Sequence, residues 1–510
     1  MLESPKLEAV FRLIQSMDNR ERRLYRRHAG RNLRNGESNY LKLFNLLSEM
    51  PHLQKEHLKS KLEKLGLVKH FATLQTRLFD HVLNFLRLSE EFPSVEVKLN
   101  EAFERIEILY QRGLHSESKK ELRKAQALAM KYDNYMQLLR LADLERQYFF
   151  VAHSRHTMVS KDENKFRDID WIQALKGQVE LKLINFEMHF VSKLHLPHQR
   201  SKAELTEKFD GRSIQKVIAE TEGSISDMMM LDAIGMLSQM DGDFDLAYLA
   251  YSRLDSLWVT GAEMIVENAR IYISFMTSFL NSCLLKGRYN EFRNLLANLK
   301  TVHFGKAAYD LMLKELLLYI ELIYCLNRCE FEKGLLLEPE IEKFVANYRY
   351  RIESARMIAF HFNIFSLHFM QGQYRKANRW LVRILNMPPQ DYRKDIQDVA
   401  PLLQLILFVA MEDRELLSIR LRAYLRMQRN TKGPELASLI ISFCTDFLKS
   451  KDSEEKTLLE NFENKLNEFF KHTKGTRAGA GECLFWAVGR RTQRLPGEVF
   501  REFVMAQATD

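Results

Sequence analysis

The chain has 510 residues, 46% of them apolar, with a net charge of +9 and only 20 glycines and 10 prolines. Few helix-breaking residues and a large apolar fraction predict a mostly helical protein that is too long for one compact core. We expect neither a membrane-spanning segment nor a signal peptide, because no apolar run reaches roughly 18 residues and the N-terminus carries acidic residues.

The cysteines indicate the cellular compartment of the protein, and the distribution of charge indicates where a charged partner would bind. Five cysteines, an odd number and mostly within apolar helical stretches, are typical of reduced, buried thiols and predict a cytoplasmic protein. Residues 18–36 carry seven arginines against two acidic residues, and residues 471–510 carry seven basic against four acidic residues. The long middle of the chain is therefore nearly neutral, and we expect any charged partner to bind near the ends.

Residues 1–95 are predicted to form an N-terminal cap of amphipathic helices. In the first helix four apolar residues recur at helical spacing, namely Leu7, Val10, Phe11 and Ile14. Asp18 is a candidate N-cap for the second helix. Two later helices meet at a short turn at residues 65–67. This pattern fits a helix-turn-helix DNA-binding motif and also a plain helical bundle. We favour the bundle, because many small bundles share this pattern.

An arginine-rich stretch follows Asp18 and provides the candidate partner-binding residues. If residues 19–34 are helical, five arginines spaced 3, 4, 4 and 3 apart lie on one narrow strip: Arg20, Arg23, Arg27, Arg31 and Arg34. Like charges at this spacing repel one another, so folding alone gives no reason to gather them. Either acidic residues such as Glu37, Glu49 or Glu56 neutralise the strip, or the strip binds phosphate or an acidic segment of a partner. Guanidinium groups bind both kinds of anion through paired hydrogen bonds.

From residue 96 onward the sequence repeats. Gly242, Gly287, Cys329 and Gly372 follow one another at intervals of 45, 42 and 43 residues, each between two apolar helical stretches. Gly113 precedes Gly242 by 129 residues, which is three such intervals. An internal period of this length is the signature of stacked supersecondary units. The sequence therefore predicts consecutive helical hairpins joined by tight turns.

One of these hairpins resembles a known repeat family. Gly235 is a small residue in the first helix, Gly242 and Phe244 form the turn, and Ala247 and Tyr251 recur in the second helix. These residues resemble a tetratricopeptide repeat, and the chain is similar to tetratricopeptide-like proteins of bacteria. The resemblance implies an all-α, elongated α-solenoid that binds proteins or peptides. Methionines in its first helices either line an inner groove or fill the core between repeats, and we favour the core.

The predicted organisation thus has three parts. The N-terminal helical cap is followed by tetratricopeptide-like repeats at residues 96–471 and by a linker with a short basic tail at residues 472–510. Within the last part, residues 484–506 are expected to form either a short terminal helix or a tail. Within the repeats, residues 155–215 are predicted to be irregular, because Pro197, Gly211 and charged runs interrupt the apolar pattern.

The sequence shows no catalytic, cofactor-binding or metal-binding pattern. His153 and His156 lie about one helical turn apart but lack a third ligand at suitable spacing, and Cys325 and Cys329 lack a second pair.

We expect a non-enzymatic scaffold or adaptor, without cofactor or metal, that binds a protein or peptide. The alternative is a nucleic-acid-associated regulator whose N-terminal helices bind DNA or RNA. A homodimer is compatible with both, because residues 311–326 are apolar on nearly every helix face.

Overall fold

The structure is a computed structural model of the chain. It describes residues 5–31, 39–50, 52–68, 71–89, 94–149, 161–194, 214–221, 223–260, 262–389, 393–427, 435–472 and 478–507. For residues 31, 88–89, 148–149, 161–168, 188–194, 259–260, 262–263, 427, 452, 472 and 507 it describes the backbone alone. These described residues contain helices and no strand, which confirms the all-α prediction. None of their helices combines the length and apolar character that crossing a membrane requires.

The chain divides into two compact units. Unit 1 comprises Met1–Pro93 and Glu342–Ser354, and unit 2 comprises Ser94–Ile341 and Ala355–Asp510. The helices of unit 1 are α1 Pro5–Ser16, α2 Asn19–Arg31, α3 Asn39–Glu49, α4 Lys55–Lys64 and α5 Phe71–Ser89. Sequence reasoning placed residues 342–354 among the repeats, because no local pattern shows that they pack on residues 1–93, which lie far earlier in the chain.

The core of unit 1 lies where α1, α3 and α5 pack together. The apolar face expected for α1 is buried, since Leu7, Val10, Phe11 and Ile14 are at most 2% exposed. The second segment of unit 1 completes this core: the ring of Tyr350 meets Phe11 edge-on at 5.9 Å, and Arg351 donates a hydrogen bond to the carbonyl of Ser16.

Unit 2 contains the remaining helices, with α18 shared between the two units. In chain order these are α6 Val95–Gln111, α7 His115–Lys131, α8 Tyr135–Phe149, α9 Lys161–Leu194, α10 Ile214–Glu220, α11 Ile225–Met240, α12 Phe244–Thr260, α13 Ala262–Glu267, α14 Ala269–Leu285, α15 Tyr289–Leu299, α16 Ala307–Asn327, α17 Phe331–Leu336, α18 Glu338–Tyr348, α19 Ser354–Met370, α20 Tyr374–Leu385, α21 Lys394–Ala410, α22 Arg414–Met427, α23 Glu435–Lys449, α24 Glu455–His472, α25 Ala480–Thr492 and α26 Pro496–Gln507.

The turns that join the hairpins share one geometry. Gly113, Gly242, Gly287 and Gly372 all have φ between +66° and +78°, and Cys329 takes the same place at +54°. After each turn an amide bonds back across it, as in the 2.8 Å bond from the Asp243 amide to the Ser238 carbonyl. This arrangement satisfies the last carbonyls of the first helix and reverses the chain. The structure therefore places the periodic turn residues of the sequence at helix ends.

The chain from residue 161 to residue 194 differs from the irregular segment that the sequence predicted. It forms the 34-residue helix α9. Between these limits the chain has no proline and a single glycine, Gly177, so nothing stops the helix. Trp171 packs on the core of α6 to α8 and Ile184 on the core of α11 to α16, so α9 joins two parts of unit 2.

Residues 480–507, where the sequence left open a short terminal helix or a basic tail, form the two helices α25 and α26. Trp486 is 1% exposed and Cys483 fully buried, and α25 packs on α24. The two helices also touch α19, because Ser366 donates to Glu482 Oε1 at 2.7 Å and Gly497 lies against the carbonyl of Met370. Residues 358–370 are consequently buried on every side. All five cysteines are buried and unoxidised, as expected.

Candidate partner-binding sites

Helix α2, which carries the arginine strip, begins with a reciprocal cap. The Asp18 amide donates to Glu21 Oε2 and the Glu21 amide donates to Asp18 Oδ1, both at 2.7 Å. This capping box confirms Asp18 as the N-cap. Glu21 also forms an ion pair with Arg351 at 3.2 Å. Both carboxylates thus bind backbone amides at the start of α2, and that of Glu21 also binds Arg351.

Two arginines of α2 face inward and are held by hydrogen bonds. Arg22 donates to the carbonyl of Gln15 at 3.1 Å, and Arg26 donates to Asn45 Oδ1 at 2.9 Å and Ser48 Oγ at 3.0 Å. Burial lowers the pKa of Arg22, and the neighbouring charge of Arg26 lowers it further. Arg22 thus fixes α2 to α1 and Arg26 fixes α2 to α3, and both side chains are half-buried in unit 1.

Three arginines of the predicted strip are exposed on the other face of α2, namely Arg20, Arg23 and Arg27. Within the part of the chain that the structure describes, Arg23 and Arg27 form no ion pair, and the exposed carboxylates of Glu49 and Glu56 contact neither. Glu49 and Glu56, two of the acidic residues that the sequence offered as partners of the strip, therefore do not neutralise it. The structure brings together three of the five predicted guanidinium groups as one outward-facing set.

The remaining members of the strip lie at its C-terminal end. The backbone of Arg31 forms the last residue of α2, but its side chain is outside the described residues. Arg34 and the acidic residue Glu37 are also outside the described residues, as are His153 and His156. We define the arginine face as Arg20, Arg23 and Arg27.

An aromatic cluster lies on the inner side of α2, behind the arginine face. The buried hydroxyl of Tyr25 lies 2.9 Å from His81 Nδ1, Tyr40 stacks on the His81 ring at 5.9 Å, and His28 lies 5.9 Å from the same ring. Burial raises the pKa of Tyr25; burial and the charge of His28 lower the pKa of His81. At neutral pH Tyr25 and His81 are therefore both uncharged. Sequence reasoning missed His81, since only the folded bundle brings α5 to α2.

The net charge is concentrated in unit 1. This unit has 20 lysines and arginines against 13 acidic residues, a net charge of +7, whereas unit 2 has 56 against 54, a net charge of +2. Helix α4 contributes exposed lysines to unit 1, namely Lys55, Lys59, Lys61 and Lys64. The positive charge that the sequence places near the N-terminus is thus the main electrostatic feature of the chain.

The C-terminal arginines, which the sequence marked as a second basic end, bind carboxylates of their own unit. Arg490 pairs with Glu455 and with Glu412, the latter at 3.2 Å, and Arg491 binds both oxygens of Glu463 at 2.8 and 3.2 Å. These ion pairs fasten α25 to α24 and to the turn before α22. Arg490 and Arg491 are therefore structural.

Unit 2 contains a cavity of about 330 Å³ between α9, α11, α12 and α14. Met228 and Met229, two of the methionines noted in the sequence, lie in its wall together with apolar rings and the cations of Lys182 and Arg270. All four residues Met228, Met229, Phe369 and Met370 are buried, at most 8% exposed, so burial in the core describes them as well.

Comparisons of the chain with protein-family models, with curated proteins and with solved structures find no match.

Proposed function

We propose that the protein is a non-enzymatic scaffold that binds an acidic segment of a partner protein at the arginine face of unit 1. The observation that carries this proposal is the division of the α2 arginines. Arg22 and Arg26 are hydrogen-bonded inside the unit, whereas Arg20, Arg23 and Arg27 are exposed together. Gathering cations on one helix face is unfavourable unless an anion binds there, and guanidinium groups bind carboxylates in bidentate fashion.

We further propose that the hairpins of unit 2 form a tetratricopeptide-like α-solenoid. The recurring turn at Gly242, Gly287, Cys329 and Gly372 and the close packing of Tyr251 on Gly235 support this proposal. A solenoid is elongated because each unit contacts only its neighbours. Small-angle scattering of the full chain should then give a radius of gyration well above the roughly 23–24 Å of a compact chain of this length. A value in that range contradicts the solenoid.

The second candidate function is nucleic-acid binding by unit 1. The net charge of +7 and the exposed lysines of α4 favour it, because phosphate contacts from several helices dominate nucleic-acid affinity. The short turn at Gly66, with φ of +67°, also joins α4 to α5 as a helix-turn-helix would require. The acidic-protein proposal ranks first because its arginines lie on one helix over roughly 10 Å, which matches a short acidic segment.

The test measures binding of two labelled probes, a poly-glutamate peptide and a mixed-sequence DNA duplex, by fluorescence anisotropy. The variant Arg20→Gln, Arg23→Gln and Arg27→Gln should lose at least tenfold in affinity for poly-glutamate and keep the wild-type melting temperature. The matched control replaces the exposed arginines Arg112, Arg123 and Arg379 by glutamine, removing the same charge from unit 2. Equal losses in the two triple variants would show nonspecific attraction and reject the arginine face.

Salt dependence separates the two candidate functions. For a duplex held by many phosphates, log affinity falls linearly and steeply with log salt concentration, because condensed counterions are released. For an acidic segment held by three arginines we expect a shallower slope. Tight duplex binding with a steep slope that is lost in the arginine variant would replace the protein-binding proposal by the nucleic-acid one.

A further inference from the structure

Helix α9 carries a row of exposed apolar side chains along one face. Ile169, Ile172, Val179 and Leu183 are 52%, 54%, 45% and 61% exposed. With Lys176 included, successive members are 3, 4, 3 and 4 residues apart, and the same spacing continues to Phe186. This is a regular repeat of 3.5 residues per turn, which is the period of a coiled-coil seam. We call these residues the α9 seam.

The opposite face of α9 attaches the helix to the rest of unit 2. Gln178 Nε2 donates to the Asp133 carbonyl at 3.0 Å, Asn185 Nδ2 donates to the Met229 carbonyl at 2.9 Å, and Ile184 is 2% exposed in the core. One face of α9 therefore accounts for its packing on α8 and α11, and this packing does not require the α9 seam.

Folding alone does not explain the α9 seam. Single exposed apolar residues are common on protein surfaces, but a series at heptad spacing along one helix is a docking face. A surface helix that only covers its own core shows its apolar residues on one side with a period near 3.6, whereas α9 has apolar residues on two opposite sides. The second side matches another helix of the same period.

We propose that the α9 seam pairs with the α9 seam of a second copy of this chain, as a parallel, in-register two-stranded coiled coil. In heptad terms Ile169, Lys176 and Leu183 occupy a positions, and Ile172 and Val179 occupy d positions. A single lysine at an a position fixes the register. In register, the two Lys176 side chains share one layer and extend to solvent; in any shifted register each ammonium faces an apolar side chain.

The flanking charges fix the orientation. Lys182 lies at a g position, and Glu180 and Glu187 lie at e positions. In a parallel pair a g residue faces the e residue of the next heptad, so Lys182 of each copy meets Glu187 of the other. In an antiparallel pair the e positions face each other and would bring glutamates together. Charge complementarity therefore selects the parallel pair. This dimer does not depend on the arginine face of unit 1.

The first test is the oligomeric state of the full chain, measured by sedimentation velocity over a range of concentrations. Wild type should shift from monomer to dimer as concentration rises. Leu183→Lys should remain monomeric, and Lys176→Leu should move dimerisation to lower concentration, because it removes the charge from the seam. Leu336→Lys, at a leucine that is 78% exposed on α17, is the control and should dimerise as wild type does. A monomer at all concentrations, or a dimer that Leu183→Lys leaves intact, overturns the proposal.

The second test fixes the geometry by disulfide cross-linking. All five native cysteines are buried, so an introduced thiol is the accessible one. Val179→Cys should form an intermolecular disulfide on mild oxidation, because equivalent d positions face each other only in a parallel, in-register pair. Asp170→Cys, exposed on α9 but outside the seam, should not cross-link. A dimer that Leu183→Lys disrupts but Val179→Cys does not cross-link overturns the parallel arrangement.

Discussion

The ring of Tyr251 lies so close to Gly235 that a β-carbon at residue 235 would come within 2.6 Å of Tyr251 Cζ. The contact joins the two helices of the hairpin α11 and α12. Tyr251 is fully buried there, and its ring also packs near Phe275 and Phe279 of α14. The small residue in the first helix is therefore what lets the second helix bring a tyrosine into the core.

Gly235→Ala should destabilise the protein by about 1–3 kcal/mol, because a rigid ring rather than a flexible side chain occupies the space. The free energy of unfolding from urea denaturation measures this. Gly177→Ala is the matched control, since a β-carbon at that helical position meets nothing within 4 Å. The control should stabilise by roughly 0.5–1 kcal/mol through helix propensity. Similar effects at both glycines would contradict the close packing of α11 on α12.

Ala377 tests the same close approach in the hairpin α19 and α20. It is fully buried, and Ala377→Leu should overpack the contact and lower the free energy of unfolding by about 1–3 kcal/mol. Arg375→Leu, exposed on the same helix, should change it by less than about 0.5 kcal/mol. The turn residue Gln373 does not serve as a neutral control, because its Oε1 lies 3.0 Å from His368 Nδ1. Equal melting temperatures for the two variants would exclude this packing.

The hairpin turns could be predicted because their signals are local. A positive φ favours glycine, and an apolar stretch on each side identifies the two helices, so Gly242, Gly287 and Gly372 are visible in the sequence alone. The arginine spacing on α2 is equally local. The hydrogen bonds that hold Arg26 against the bundle could not be predicted, because their acceptors Asn45 and Ser48 belong to α3.

Features that depend on distant residues could not be predicted. The segment Glu342–Ser354 packs in unit 1 through Tyr350 and Arg351. No periodic pattern in the sequence indicates with which unit it packs. The C-terminal stretch has the glycines and arginines of a flexible basic tail. Its arginines instead bind carboxylates such as Glu463, and Gly497 permits close approach to Phe331. Composition alone describes these residues equally well as a tail or as a packed helix pair.

His361 should make the stability of the protein depend on pH. Its side chain is buried beside Trp380, and its Nδ1 has no hydrogen-bond partner among the described residues. Burial and the charge of Arg383 lower its pKa to about 4. The unfolded chain, with a histidine pKa near 6.5, therefore binds the proton first as the pH falls. The neutral His361 therefore makes its full contribution to the free energy of unfolding above about pH 6.5, and this contribution is lost as the pH falls from 6.5 to 4.

The expected loss over this range is roughly 3 kcal/mol for the histidine. Urea denaturation of wild type and His361→Gln at pH 7, 5.5 and 4.5 isolates it, because other titrating groups are common to both proteins. The difference in unfolding free energy between the two should shrink as the pH falls. A difference that stays constant with pH would mean that His361 protonates equally well in the folded and unfolded states.

Trp486 decides whether the C-terminal helices are part of the core of unit 2. Its ring is 1% exposed and meets Phe443 edge-on at 5.9 Å, so Trp486→Ala should leave a large cavity and cost about 3–5 kcal/mol of unfolding free energy. Trp486→Phe should cost clearly less, because the indole Nε1 has no hydrogen-bond partner within the described structure to lose.

Phe503→Ala, at an aromatic residue of α26 that is 46% exposed, is the control and should change the melting temperature little. If Trp486→Ala is as mild as Phe503→Ala, residues 480–507 act as the tail that their composition suggests, and the packing of α25 on α24 does not stabilise the protein.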